Sequence, residues 1–197
     1  MMNMQYCFPT AIFSTLNERF ADEMLPIAKK YLQNKSNINP NWHYKSTYFP
    51  GPLGVEVNPD MKVFVDYVNE LGFQFMEKQG YILPVEKFSS FVFINEMFKG
   101  DSHGTHSHPN AILSGVFYLQ APTGSAPLVF HDPRQKKHFV YYPTKFLSET
   151  NSNIIQYEPK KGLLVMWESW LEHEVPKNNS IDGRITVAFN LYKPEVR

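Results

Sequence analysis

The chain has 197 residues, 43% apolar and 15% aromatic, with 19 Lys+Arg set against 19 Asp+Glu. That length and apolar content support a large buried core in one domain spanning 1–197, and they argue against a disordered chain. Zero net charge argues against nucleic-acid partners. No apolar run reaches a membrane span, and Cys7 stands alone, so no internal disulfide can form. The N-terminus lacks a signal-peptide pattern, so a reducing cytoplasm is the expected location.

In chain order, Phe8–Phe13 reads as a short extended lead-in and Asn17–Gln33 as a helix with Phe20, Met24, Ile27 and Tyr31 on one face. Pro26 predicts a kink or a restart within it. Residues 34–54 carry Pro, Asn and Gly with Trp42, Tyr44 and Tyr48, and read as a long loop with at most one strand. The next helix has the strongest signals: Asn58 to cap it, Pro59 in its first turn, Gly80 to end it. Its apolar stripe Met61, Phe64, Val65, Val68, Leu71 and Phe75 predicts packing against a sheet.

From Phe88 the period changes from helical to strand-like. Strands are predicted at 88–98, 111–120, 126–131, 153–158, 163–167 and 184–192, separated by the turn signals Lys99-Gly-Asp, Pro122-Thr-Gly-Ser, Asp132-Pro and Asp182-Gly183. Many short strands after two helices predict a mainly β fold, a sandwich or barrel with helices on one side. The helical flank and first strands take 1–87, and the strand-rich core takes 88–197.

The chemistry concentrates in Gly100-Asp-Ser-His-Gly-Thr-His-Ser-His-Pro-Asn110, which holds His103, His106 and His108. On an extended strand His106 and His108 would point to one face and could reach a single ion. His173 lies far downstream in Trp170-Leu-Glu-His-Glu-Val-Pro176, and Arg184 begins the last strand. Three imidazoles of this kind suit an open iron or zinc site. Arg184 on an inner strand requires a carboxylate, which a small dicarboxylate cosubstrate can supply. His43 and His138 read as ordinary hydrogen-bonded histidines, and His103 as a loop residue within reach of a second hydrogen-bonded layer. Glu168, Glu172 and Glu174 are expected to face solvent. Asp132, in Phe-His-Asp-Pro-Arg134, reads either as a turn aspartate or as a carboxylate near the metal, with the turn favoured.

These residues resemble the 2-oxoglutarate/Fe(II)-dependent oxygenase superfamily, and within it a bacterial and phage group related to prolyl 4-hydroxylases. The resemblance is carried by Phe8-Pro-Thr10, His106-Ser-His-Pro-Asn110, Leu113–Tyr118, Leu128–Arg134, Pro159–Gly162, Ser169–Pro176 and Arg184–Asn190. It implies a double-stranded β-helix, a jelly-roll (cupin-like) barrel with helices outside. It implies Fe(II) held by His106 and His173, with His108 standing where the superfamily motif has a carboxylate. The third ligand is then either His108 or another group, such as Asp132 or water. The same likeness implies a 2-oxoglutarate cosubstrate gripped by Arg184, with Tyr118, Ser114 or Asn190 adding hydrogen bonds, and Asn95, Asn110 and Trp167 near the metal or substrate. The implied reaction consumes O2 and 2-oxoglutarate and hydroxylates a small-molecule or peptidyl substrate, releasing succinate and CO2.

Two rival functions fit parts of this pattern. A cupin-like three-histidine dioxygenase would leave 2-oxoglutarate out, but Ile112 and Leu113 stand where a cupin glutamate belongs. A non-catalytic jelly-roll module would hold a metal without an open position. The sequence names no substrate, and a homodimer is compatible with it.

Overall fold

A computed structural model describes residues 3, 7–34, 38–39, 43–48, 59–82, 87–134, 143–148 and 150–193. The order is β1 (Ile12–Leu16), α1 (Glu18–Gln33), β2 (Lys45–Ser46), α2 (Lys62–Lys78), β3 (Ser89–Met97), β4 (His103–His106), β5 (Leu113–Gln120), β6 (Leu128–His131), β7 (Ile154–Tyr157), β8 (Leu163–Glu168), β9 (His173–Val175) and β10 (Arg184–Tyr192). Six strands form one antiparallel sheet in the order β1-β8-β5-β10-β3-β2, and four form a second in the order β4-β9-β6-β7. The strand-rich second half leads to a sandwich or barrel, and the arrangement is the jelly-roll that the family resemblance implies.

Side chains alternate across a strand, so each central strand serves two cores. On β10, Ile185, Val187, Phe189 and Leu191 face outward and pack with α1 and α2 around Phe20, Phe64 and Phe75. The alternate positions Arg184, Thr186 and Asn190 are buried on the other face. On β5, Phe117 and Leu119 join the helical side, while Val116 and Tyr118 face inward with Leu128 and Phe130 of β6, Val165 and Trp167 of β8, and Leu171. The inner core therefore draws on both sheets. Burial on both faces explains why these strands read as nearly continuous apolar runs.

Gly115 is required by this arrangement. It pairs with Phe189 across the sheet, and a Cβ there would lie 2.2 Å from the Phe189 ring. Gly162 joins β8 to the start of α1: its carbonyl accepts from the Asn17 amide at 2.8 Å, and its φ is +81°. Both fall at positions where only a missing side chain fits.

Several local expectations need correction. α1 runs from Glu18 to Gln33 without interruption, capped by the Asn17 side chain on the Phe20 amide. Pro26 does not break it, because Pro26 is exposed and the carbonyl it leaves unbonded lies on the solvent side. Pro59 opens a short 3-10 turn, Pro59–Met61, and α2 proper starts at Lys62, with no side-chain cap at Met61. Asn58, Trp42 and His138 lie outside the described residues. Gly80 takes φ +81° just after α2, as its end signal predicts. β1 is a full strand rather than a lead-in, paired with β8 from Ile12↔Trp167 to Leu16↔Leu163. β9 was too short to read from sequence. No helix among the described residues is long and apolar enough to cross a membrane.

Candidate metal centre

The decisive contact is the pairing of two very short strands. β4 and β9 run antiparallel with His106 opposite His173. Cross-strand partners stand a few ångströms apart, so residues remote in sequence present their rings side by side. The His106 and His173 ring centroids are 4.3 Å apart. His108 lies just past the end of β4, not on it, so the same-face argument for a strand is not what brings it in. The amide of His108 donates to the Ser169 carbonyl at 3.0 Å, which folds the chain back toward β9. Its ring is 4.9 Å from that of His106 and 5.1 Å from that of His173. One nitrogen from each of the three lies within 4.8 Å of the others.

The donor set suits a divalent metal. His106 Nδ1–H donates to the Gly104 carbonyl at 2.8 Å, and His173 Nδ1–H donates to the Leu171 carbonyl at 2.9 Å. A carbonyl accepts only, so each Nδ1 carries the proton and each Nε2 keeps its lone pair for a ligand. Burial favours the neutral rings. Desolvation lowers the His173 pKa to about 3 and the His108 pKa to about 4, with neighbouring imidazoles adding to it, and lowers that of His106 as well. Neutral imidazole is the form that binds metal.

The surroundings sort the remaining candidates. His103 begins β4 and stacks on His106 at 4.1 Å, and the Tyr44 hydroxyl bonds its Nδ1 at 3.0 Å. It is thus part of the site's wall rather than a loop residue. Burial lowers its pKa to about 3, with His106 the next cause. His43 Nε2 donates to the Ser102 carbonyl at 2.7 Å. Asp132 is not among the grouped donors: Arg134 grips both its oxygens, each at 2.8 Å, two residues along the same turn. Asn110 is an exposed turn residue at φ +70°. Asn95 is buried and accepts from Ser46 Oγ at 2.6 Å. Glu174 accepts from Thr105 at 2.7 Å, and Glu168 accepts from Trp170 at 3.2 Å.

Arg184 is 2% exposed. Its Nη2 donates to the Tyr118 hydroxyl at 3.1 Å, its Nε to the Ala126 carbonyl at 3.3 Å, and its Nη1 meets Met97 sulfur at 3.7 Å. Its Cζ lies 4.8 Å from the Tyr118 ring centre. None of these partners is an anion, which is unusual for a buried guanidinium. Tyr118 belongs to the interior cluster that contains Phe130 and Trp167. Those two rings stand 6.1 and 4.6 Å from His173. One interior therefore connects the guanidinium to the imidazoles. The Trp167 Nε1–H has no acceptor among the described residues. Ser114 and Asn190 are tied to each other at 2.7 Å, and Asn190 reaches His108 at 3.4 Å.

Sequence reasoning missed Ser169, Thr186, Tyr44 and Phe130. Thr186 was readable, since it sits two residues after Arg184 on the same inner face. The others depend on tertiary contacts.

A family described as "Putative 2OG-Fe(II) oxygenase" (2OG, 2-oxoglutarate) matches residues 92–190, half of the chain. The chain belongs to that oxygenase family. It is accordingly a hydroxylase-type oxidoreductase with Fe(II) as cofactor and 2-oxoglutarate as cosubstrate. Solved structures show the same fold at low identity. A prolyl-4-hydroxylase from Pseudomonas putida is 14% identical with a TM-score of 0.64, the alignment covering 94% of each chain. HygX from Streptomyces hygroscopicus, solved with nickel and 2-oxoglutarate bound, is 9% identical with a TM-score of 0.62, covering 94% of this chain and 84% of that one. The non-heme alpha-ketoglutarate-dependent epimerase SnoN from nogalamycin biosynthesis is 10% identical with a TM-score of 0.64, covering 95% and 80%. No curated protein matches in sequence.

Proposed function

We propose that this oxygenase holds Fe(II) with His106, His108 and His173, binds the distal carboxylate of 2-oxoglutarate with Arg184, and hydroxylates an organic substrate. The observation that carries this reading is the convergence of three neutral imidazoles in an interior that also holds a guanidinium with no anionic partner among the described residues. With both bound, iron supplies the oxidation: one atom of O2 enters the substrate C–H bond, the other enters succinate, and CO2 leaves.

The chain's own part is to bind and orient. The Gly104 and Leu171 carbonyls hold two imidazoles in the ligating tautomer. Arg184 and the Tyr118 hydroxyl offer donors to a carboxylate, and Thr186, on the same face of β10, adds a hydroxyl. The apolar wall of Phe130, Trp167 and Leu171 excludes water and strengthens the pairing with the guanidinium. Three imidazoles carry one negative charge less than two imidazoles and a carboxylate, so the anionic cosubstrate does more of the neutralising here.

A cavity of about 680 Å³ opens between β1 and β7, lined in part by Phe8, Ile12, Ile155 and Tyr157, with Phe130 and Leu171 as its inner wall. We assign it to the organic substrate, because Phe130 and Leu171 also border His173. We further assign residues 1–197 to one catalytic unit. The test is succinate release from 2-oxoglutarate in air with Fe(II). Turnover that disappears without iron and in Arg184→Met supports the reading. Iron-dependent O2 consumption that ignores 2-oxoglutarate and Arg184 overturns it in favour of a three-histidine dioxygenase.

A further inference from the structure

We propose that Asn190 is a positioning residue that decides which nitrogen of His108 carries the proton, and so whether His108 can ligate. This rests on His108 being a metal ligand.

The three imidazoles are not held alike. His106 and His173 each give Nδ1–H to a backbone carbonyl, which cannot donate, so their tautomer is fixed. His108 Nδ1 instead faces the Asn190 side-chain amide at 3.4 Å. An amide has a donor end and an acceptor end of nearly equal size. In the arrangement seen, Asn190 Nδ2–H points at Nδ1, and Asn190 Oδ1 accepts from Ser114 Oγ at 2.7 Å. A neutral ring that accepts at Nδ1 carries its proton on Nε2, and that nitrogen then has no lone pair for a metal. Turning the amide end for end presents Oδ1 to Nδ1–H and frees Nε2.

The structure contains what such a turn needs. Ser114 Oγ also meets Ser169 Oγ at 2.7 Å, and either oxygen can donate. With the amide turned, Asn190 Nδ2 donates to Ser114, and Ser114 donates to Ser169. Asn190 also hydrogen-bonds the Tyr192 side chain, whose hydroxyl can donate or accept and so serves either end of the amide, and no heavy atom has to leave its place. Asn190, Ser114 and Ser169 are 3%, 1% and 0% exposed, so water does not compete for these bonds. Ser169 also carries the carbonyl that holds the His108 amide, which ties the relay to the backbone it serves. The site is thus built with two permanently set ligands and one that is set by a side chain.

The test uses the full-length metal-free chain. Long-range 1H–15N spectra report the tautomer of each histidine, with His108 assigned by loss of its signals in His108→Leu. His108 is expected as Nε2–H in the wild type, and as Nδ1–H in Asn190→Asp, whose carboxylate presents an acceptor in either orientation. In Zn(II) titrations, Asn190→Leu is expected to bind about 10–100-fold more weakly than the wild type. Asn190→Asp is expected to bind at least as tightly. A wild-type His108 found as Nδ1–H, or Zn(II) affinities that His108→Leu lowers and Asn190→Leu does not, overturns the role of Asn190 while leaving His108 a ligand. Affinity unchanged in His108→Leu overturns the ligand assignment itself.

Discussion

Arg184→Met separates the proposed cosubstrate grip from a purely structural role, because the two predict opposite signs. The methionine side chain is apolar and of similar length, so it fills the space between Tyr118, Ala126 and Met97 without a charge. A buried guanidinium with no anionic partner among the described residues is costly to desolvate, and even buried ion pairs are often replaced by packed apolar groups with an effect from neutral to stabilising by about 1–4 kcal/mol. Against that stand the lost bonds to the Tyr118 hydroxyl at 3.1 Å and the Ala126 carbonyl at 3.3 Å, about 1 kcal/mol each. Thermal unfolding of the ligand-free variant should therefore match or exceed that of the wild type. Binding of 2-oxoglutarate should collapse. Two charge-assisted hydrogen bonds to a carboxylate contribute about 1.5–3 kcal/mol each, so the Kd should rise by roughly 10²–10⁴-fold. Calorimetric titration of the anaerobic metal-loaded protein measures this directly. Saturating 2-oxoglutarate at about a hundred times its Kd should stabilise the wild type by about 2.7 kcal/mol and leave the variant unmoved. A variant that loses several kcal/mol of stability yet binds 2-oxoglutarate normally would refute the reasoning.

Acid should unfold the metal-free protein early. Free histidine titrates near 6.5, while burial holds His103 and His173 at about 3 and His108 at about 4. Between those values the unfolded chain takes up protons that the folded chain refuses. Stability is complete above about pH 6.5 and declines as pH falls toward 4. Urea unfolding at pH 7.5 and pH 5 checks the sign, and equal midpoints would contradict the burial. Gly115→Ala should cost about 1–3 kcal/mol, since its Cβ would meet the Phe189 ring at 2.2 Å. Adding Phe189→Leu should recover part of that loss in chemical denaturation. His108→Asp should retain Fe(II) binding and His108→Leu should lose it; equal binding by both would place the third ligand elsewhere.

The sequence alone gives the period of the two helices and the longer strands and shows which of their faces are apolar. The alternation along 184–192 was enough to send Arg184 inward, because one face of that strand had to meet the helices and the other the barrel interior. The stripe on α2 likewise required a sheet beneath it, and Gly80 marked where it stops. What local patterns could not supply was partnership. His106 and His173 meet through the pairing of β4 with β9, strands of four and three residues, too short to leave a periodic signal. Asp132 reads from sequence as a turn residue with a ligand as the lesser alternative, and only the fold shows Arg134 holding both its oxygens. The tautomer of His108 depends on an amide from the last strand and two hydroxyls from different segments. Periodicity reports how a residue faces its own element. Which remote group it then meets is decided by register and packing across the whole fold.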